Sequence, residues 1–310
     1  MTNLAHDIAE PHRASLAGPA DYVALLKPRV MSLVVFTAAA TMIVAPGSLH
    51  PMIAIAALIC IAVGAGAAGA LNQWFDADID ALMSRTRTRP VPCGRVSPQE
   101  ALEFGATLAG FSVFAMAFLV GYVPAALLAA TIAFYLFVYT MWLKRLTVQN
   151  IVIGGAAGAL PPVIAWAAVT GNAFDALPWL LFAIIFLWTP PHFWALALAG
   201  SDDYARAKVP MLPVVKGARA TRNQIAFYTF ALVAASLAPY ALSLVGPVYG
   251  ATAAIGGIGF IAFAAALWFS TAAAERKSAL RLFAYSIFYL FALFTALAVE
   301  KLIGFAPVAG

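Results

Sequence analysis

Asn72, Asp76 and Asp80 stand four residues apart in the stretch NQWFDADID. On an α-helix these positions share one face, drifting by about 40° per step. An amide and two carboxylates on one stripe suit a hard divalent cation. Mg²⁺ in particular is held by one or two carboxylates together with waters and substrate phosphates. Carboxylates one turn apart repel unless positive charge lies between them. Arg85, Arg87 and Arg89 follow within the same segment. They either pair with the acids or hold phosphate oxygens that share the metal. Asp78 falls on another face. Spacing alone leaves open a solvated acidic loop neutralised by its own arginines.

A second cluster, SDDYARAK, carries Asp202 and Asp203, then Arg206 and Lys208. Alone it is a common surface pattern. Opposite the first cluster, it would complete a clamp for a metal-bound diphosphate, with apolar helix walls below for a hydrophobic tail. PPHFW at 190–194 places His192 inside an apolar run, as a ligand, a base or a hydrogen-bond donor, or as a satisfied histidine beside a proline kink. Tyr139 and Lys144 lie near the same membrane surface, where interfacial aromatics and snorkelling lysines are ordinary.

These residues must be positioned by membrane helices. The 310 residues are 64% hydrophobic and 10% charged, with a mean hydropathy of +0.91. A soluble domain is nearer a quarter charged. Runs of about 20 apolar residues predict nine spans near 23–46, 51–71, 101–121, 124–142, 148–169, 178–198, 225–245, 249–270 and 282–303. Residues 1–22 read as a cytoplasmic tail, because 1–20 lack the apolar core of a signal peptide. With the N-terminus inside, seventeen of the eighteen Lys and Arg fall in cytoplasmic segments, and only Lys301 lies outside. That bias predicts an N-in, C-out topology. It also accounts for the basic balance without nucleic acid, since no basic patch interleaves with stacking aromatics on a soluble face. Cys60 and Cys93 form neither a disulfide framework nor a two-cysteine metal site.

Both long loops lie on the inside, four helices apart, and both begin with acids and continue into bases. LLKPRVMSLVV at 25 and WLKRLTVQNIVI at 142 also start their four-helix sets alike. This reads as a weak internal repeat that sets the two acidic loops across one cavity, with the ninth helix appended.

NQWFDADIDALMSRTRTRP resembles the NxxxDxxxD signature of the UbiA-like superfamily of intramembrane prenyltransferases. DADIDALMSRTRTRPVPCGRVSP, WTPPHFWALAL and DDYARAKVPMLPVVKG resemble its haem branch, from LLKPRV at 25 to the ninth helix. The resemblance implies an all-α polytopic membrane protein of nine helices around a central cytoplasm-facing cavity, in the inner membrane. It implies Mg²⁺ bound with farnesyl diphosphate, and protohaem IX as acceptor, prenylated on a vinyl group with addition of water. Metal binding carries over to Asn72, Asp76 and Asp80, with Asp202 and Asp203 near it. The superfamily's second motif is often DxxxD, whereas here the acids are adjacent and position 206 is Arg. Arg85, Arg89, Lys144, Arg206 and Lys208 are the expected diphosphate contacts, and His192 and Tyr139 the expected acceptor contacts. Trp166, Trp188, Phe193 and Trp194 would shelter the cation or pack the porphyrin. A downstream haem A synthase is an implied partner. A hydroxybenzoate- or naphthoate-type acceptor on the same fold is the rival, opposed by the PPHFW block. A proton- or Na⁺-coupled transporter is the rival of another class. Its acids would lie near the midplane on broken helices, not at helix ends.

Overall fold

A computed structural model describes residues 17–304, all-helical with intervening turns. The helices are α1 (Pro19–Leu25), α2 (Pro28–Val44), α3 (Pro51–Phe75), α4 (Ala77–Leu82), α5 (Pro98–Leu119), α6 (Tyr122–Leu146), α7 (Asn150–Thr170), α8 (Ala176–Ala199), α9 (Ser201–Arg206), α10 (Leu212–Ala241), α11 (Pro247–Trp268) and α12 (Ala272–Leu302). Several begin on proline, whose fixed φ and missing N–H suit a first turn. α5 adds a capping box, with Glu100 N donating to Ser97 Oγ and Ser97 N donating to Glu100.

Eight helices are long and apolar enough to cross a membrane, and the α1–α2 pair, bent by 55°, makes a ninth candidate. The bend falls at Lys27, which has a left-handed φ of 54°. Phe111, Phe114, Phe118, Phe137, Ile255 and Phe288 are exposed on the outer helix faces, as lipid contact requires. Among the described residues the spans follow one another around a ring, which closes where α12 packs on α2. The most extensive pairings are α3 with α5 and α8 with α10, four spans apart. That spacing matches the repeat read in the sequence.

Two spans start well before their expected positions, at Leu212 rather than near 225 and at Ala272 rather than near 282. Arg219 and Arg222 in the first, after the kink at Gly217, and Glu275, Arg276, Lys277 and Arg281 in the second, lower the local hydropathy while the chain stays helical through them. The helices therefore run on past their apolar stretch. α10 kinks where Gly217 takes φ +79°, a conformation open to glycine at little cost. The expected tail lies mostly outside the described residues, and its last residues, from Pro19, are already helical.

α6 is unusual. Phe134–Leu143 is π-helical, so each N–H reaches five residues back. Tyr135 and Tyr139 pack with ring centroids 5.2 Å apart. Tyr139 lies against Gly154 of α7, where a Cβ would stand 2.2 Å from the ring. Only glycine admits that approach.

Candidate functional site

α3 ends in the acid stripe. Asn72 falls in its last turn, Asp76 caps its C-terminus and leads into α4, and Asp80 lies one turn on in α4. Asp76 has no exposed surface, Asp80 has 2% and Asn72 has 4%. Carboxylates this buried need a positive partner, and each has one. Lys144 pairs with Asp76 Oδ2, and Arg89 Nη1 donates to Asp80 Oδ2 at 2.6 Å. The stripe is thus a sealed ion-pair network, not a solvated loop.

Asn72 sits at its centre. Its Nδ2 donates to Asp76 Oδ2 at 2.6 Å and to Thr140 Oγ1 at 3.2 Å. Its Oδ1 accepts from Lys27 Nζ at 2.7 Å. Lys27 and Lys144 occupy matching places in LLKPRV and WLKRLT, and both reach the same stripe. The repeat therefore delivers a pair of ammonium groups to one place. Lys27 and Thr140 were not among the sequence candidates. The left-handed Lys27, where a non-glycine residue is strained, aims its side chain at the stripe. In the sequence its only sign was the repeat.

Arg145 completes the site from α6. It grips Asp78 with two hydrogen bonds of 2.8 Å, donates to Phe75 O, and brings Nη2 within 3.7 Å of Asp76 Oδ1. The guanidinium beside Asp78 holds that carboxyl below the usual carboxylate range. Asp78 points outward with 64% of its side chain exposed, as its face on the helix predicted. Asp76 Oδ1 is buried and accepts no hydrogen bond. A buried carboxylate oxygen without a donor is costly, and it is what a cation-binding oxygen looks like when only protein is present.

The second cluster is built differently. Asp203 pairs with Arg206 three residues on, and Ser84 Oγ donates to Asp203 Oδ1 at 2.9 Å. Arg206 also donates to Ser84 Oγ at 3.0 Å. This ties α9 to the end of α4, 119 residues away in sequence. Asp202, Lys208, Arg85 and Arg87 are exposed and form no ion pair among the described residues. Those residues gather no group of three acidic, His or Cys side chains fit to hold a metal. The stripe supplies two carboxylates and an amide, while Asp202 and Asp203 stand apart from it.

His192 is buried between aromatic faces. Its ring stacks on Trp188 at 4.1 Å and on Phe283 at 4.5 Å, with Phe193 edge-on at 5.3 Å. Its Nδ1 lies 2.7 Å from Ser286 Oγ of α12. Trp188 Nε1 donates to Ser286 O at 2.7 Å. Trp194 is buried against Tyr228. Trp166 does not join this group. Its Nε1 donates to Asp175 Oδ2 at 2.6 Å, at the start of α8, whereas the stripe meets the other end of α7. Helical rise puts Trp166 roughly 24 Å along α7 from Asn150.

With eight membrane-length helices and a ninth candidate among the described residues, the chain is a polytopic membrane protein, and it belongs to the UbiA prenyltransferase family, whose model matches residues 33–299. A relative from Rhodopseudomonas palustris (strain BisB5), named protoheme IX farnesyltransferase, is 60% identical over 295 residues, covering 95% of this chain and 94% of its own. Two solved structures share the fold. A digeranylgeranylglyceryl phosphate synthase gives a TM-score of 0.75 at 18% identity, over 92% of this chain and 98% of its own. A UbiA homologue from Archaeoglobus fulgidus bound to DMAPP and Mg²⁺ gives 0.60 at 15%, over 89% and 99%.

Proposed function

We propose that this integral membrane prenyltransferase transfers the farnesyl group of farnesyl diphosphate, with addition of water, to a vinyl group of protohaem IX, making haem O and releasing diphosphate. The observation that carries the donor half is the buried stripe, with Asn72, Asp76 and Asp80 facing Lys27, Lys144 and Arg89. The acceptor half is supported by relatives of high identity over nearly the whole chain that bear the protoheme IX farnesyltransferase name.

Asn72, Asp76 and Asp80 fit Mg²⁺, because they offer hard oxygens, one of which is buried and without a hydrogen bond. Mg²⁺ bound there with the diphosphate neutralises the negative charge that grows on the leaving group. Lys27, Lys144, Arg145 and Arg89 hold the phosphate oxygens. Lys144 and Arg89 neutralise the acids in this structure, and with a metal bound to the carboxylates they would be free to hold diphosphate oxygens. Electrostatic stabilisation of the leaving group is thereby preorganised. The C–O bond of the farnesyl donor breaks with its electron pair leaving on diphosphate. The vinyl π electrons form the new C–C bond to farnesyl C1. Water adds to the cation left beside the macrocycle and loses one proton. Apolar walls keep stray water from the allylic cation. Asp203 and Arg206, docked through Ser84, close the site from α9. The active site faces the cytoplasm of the inner membrane, by the Lys and Arg bias, and an oxygenating haem A synthase takes the product onward.

The test is incubation of the purified protein with protohaem, farnesyl diphosphate and Mg²⁺, followed by mass spectrometry of extracted haems. A new haem carrying one farnesyl and one water, absent with EDTA, supports donor, acceptor and metal together. Prenylation of a phenolic acceptor with no new haem overturns the acceptor and leaves the donor site standing.

A further inference from the structure

We infer that Ser286 is a positioning residue that locks His192 in one tautomer, so that Nε2 is the bare nitrogen and takes the iron of the acceptor haem. The inference rests on protohaem being the acceptor and deepens that reading.

The argument starts from one proton. Ser286 Oγ lies 2.6 Å from Phe283 O and 2.7 Å from His192 Nδ1. Two oxygens at 2.6 Å without a hydrogen between them would repel, while 2.6 Å is an ordinary O–H···O distance. The hydroxyl proton therefore points at Phe283 O. A serine has one proton to give, so Ser286 Oγ accepts at the other contact, and His192 Nδ1 carries the hydrogen. In the neutral ring Nε2 is then a lone pair. It has no hydrogen-bond partner among the described residues, and it is not among their sealed, unpartnered polar atoms. His192 as a whole keeps 8% of its surface exposed.

The surroundings restrict what that lone pair can meet. Trp188 and Phe283 cover both faces of the ring, and Phe193 stands edge-on. The imidazole can use only its rim, and the neighbourhood is apolar and flat. A neutral histidine whose other nitrogen is anchored by a hydrogen bond is the usual arrangement for metal ligation, and a single histidine is the usual proximal ligand of haem iron. Trp188 Nε1 bonded to Ser286 O holds α8 and α12 in register at this point. Ligation here fixes the macrocycle and sets which vinyl edge faces the donor. His192 keeps its proton on Nδ1 throughout, and no electron is transferred.

The test uses the full-length protein in lipid, titrated with ferric and then ferrous protohaem and followed by absorbance and resonance Raman spectra. Wild type should show a histidine-ligated haem with an iron–histidine stretch. His192→Ala should lose that band and regain a ligated spectrum with added imidazole. Ser286→Ala should weaken haem binding by about 10- to 100-fold and shift the iron–histidine band, and Ser286→Thr should restore both. Retained binding of farnesyl diphosphate reports that each variant is folded. A His192→Ala protein with a wild-type spectrum overturns ligation while leaving the proposed reaction intact. A Ser286→Ala protein with wild-type affinity and band position overturns the tautomer lock. A wild type that binds no haem overturns both the inference and the reaction on which it rests.

Discussion

Asp76 and Asp203 are both aspartates paired with a basic side chain, yet their surroundings differ. Asp76 is sealed at the end of α3, and Lys144 reaches it from 68 residues away. The side chain of Asp203 is 20% exposed, that of Arg206 is 54% exposed, and the two are three residues apart on α9. A buried charge left without its partner costs about 3–5 kcal/mol, whereas an exposed pair is worth about 1 kcal/mol or less. Identical residue types therefore carry different weight. The first cluster is a buried ion-pair network, and the second is a more exposed segment docked through Ser84.

The largest expected effect breaks the first cluster. Asp76→Ala should lower turnover by at least about 10³-fold, the scale of a lost electrostatic contact to a reacting group, with the protein still folded and inserted. Turnover near wild type would remove Asp76 from the site. Next is stability. Lys144→Met leaves Asp76 facing only Arg145 and should destabilise by about 3 kcal/mol. The double variant with Asp76→Asn should recover most of that loss in denaturant titrations. No recovery would mean that the two residues are not coupled.

Smaller effects belong to the second cluster. Asp203→Asn should lower turnover by about tenfold, the cost of one polar contact at closure. The exposed Asp202→Asn should stay within about fivefold. If Asp202 proved the more sensitive, closure would run through the other acid. The smallest effect concerns Asp78 and Arg145. Because Arg145 depresses the Asp78 carboxyl in the folded state, the pair's stabilisation is present above the ordinary carboxylate range. It is lost as pH falls through the lowered value. Melting curves of wild type and Asp78→Asn should therefore differ slightly at neutral pH and converge in acid. A gap that widened toward acid would reverse the sign.

Much of this was legible in local sequence. Span number, the shared face of Asn72, Asp76 and Asp80, and the outward turn of Asp78 follow from hydropathy and helical period, which neighbouring residues set by themselves. The two early helix starts were not legible, because charged residues mask a helix that extends beyond its apolar stretch. Nor was the separate fate of Trp166, since its partner Asp175 belongs to the opposite end of the ring.

What the sequence by itself determined is a membrane chain with a stripe of one amide and two carboxylates at a helix end. The tertiary structure decided who meets that stripe. Lys27 with Asn72, Lys144 with Asp76, Ser84 with Asp203 and His192 with Ser286 are pairs 45 to 119 residues apart. Each exists only because the tertiary fold brings distant helices together. Spacing along one helix is a local property, but burial and partnership depend on the neighbouring helices, and in a site built of buried charge those decide the chemistry.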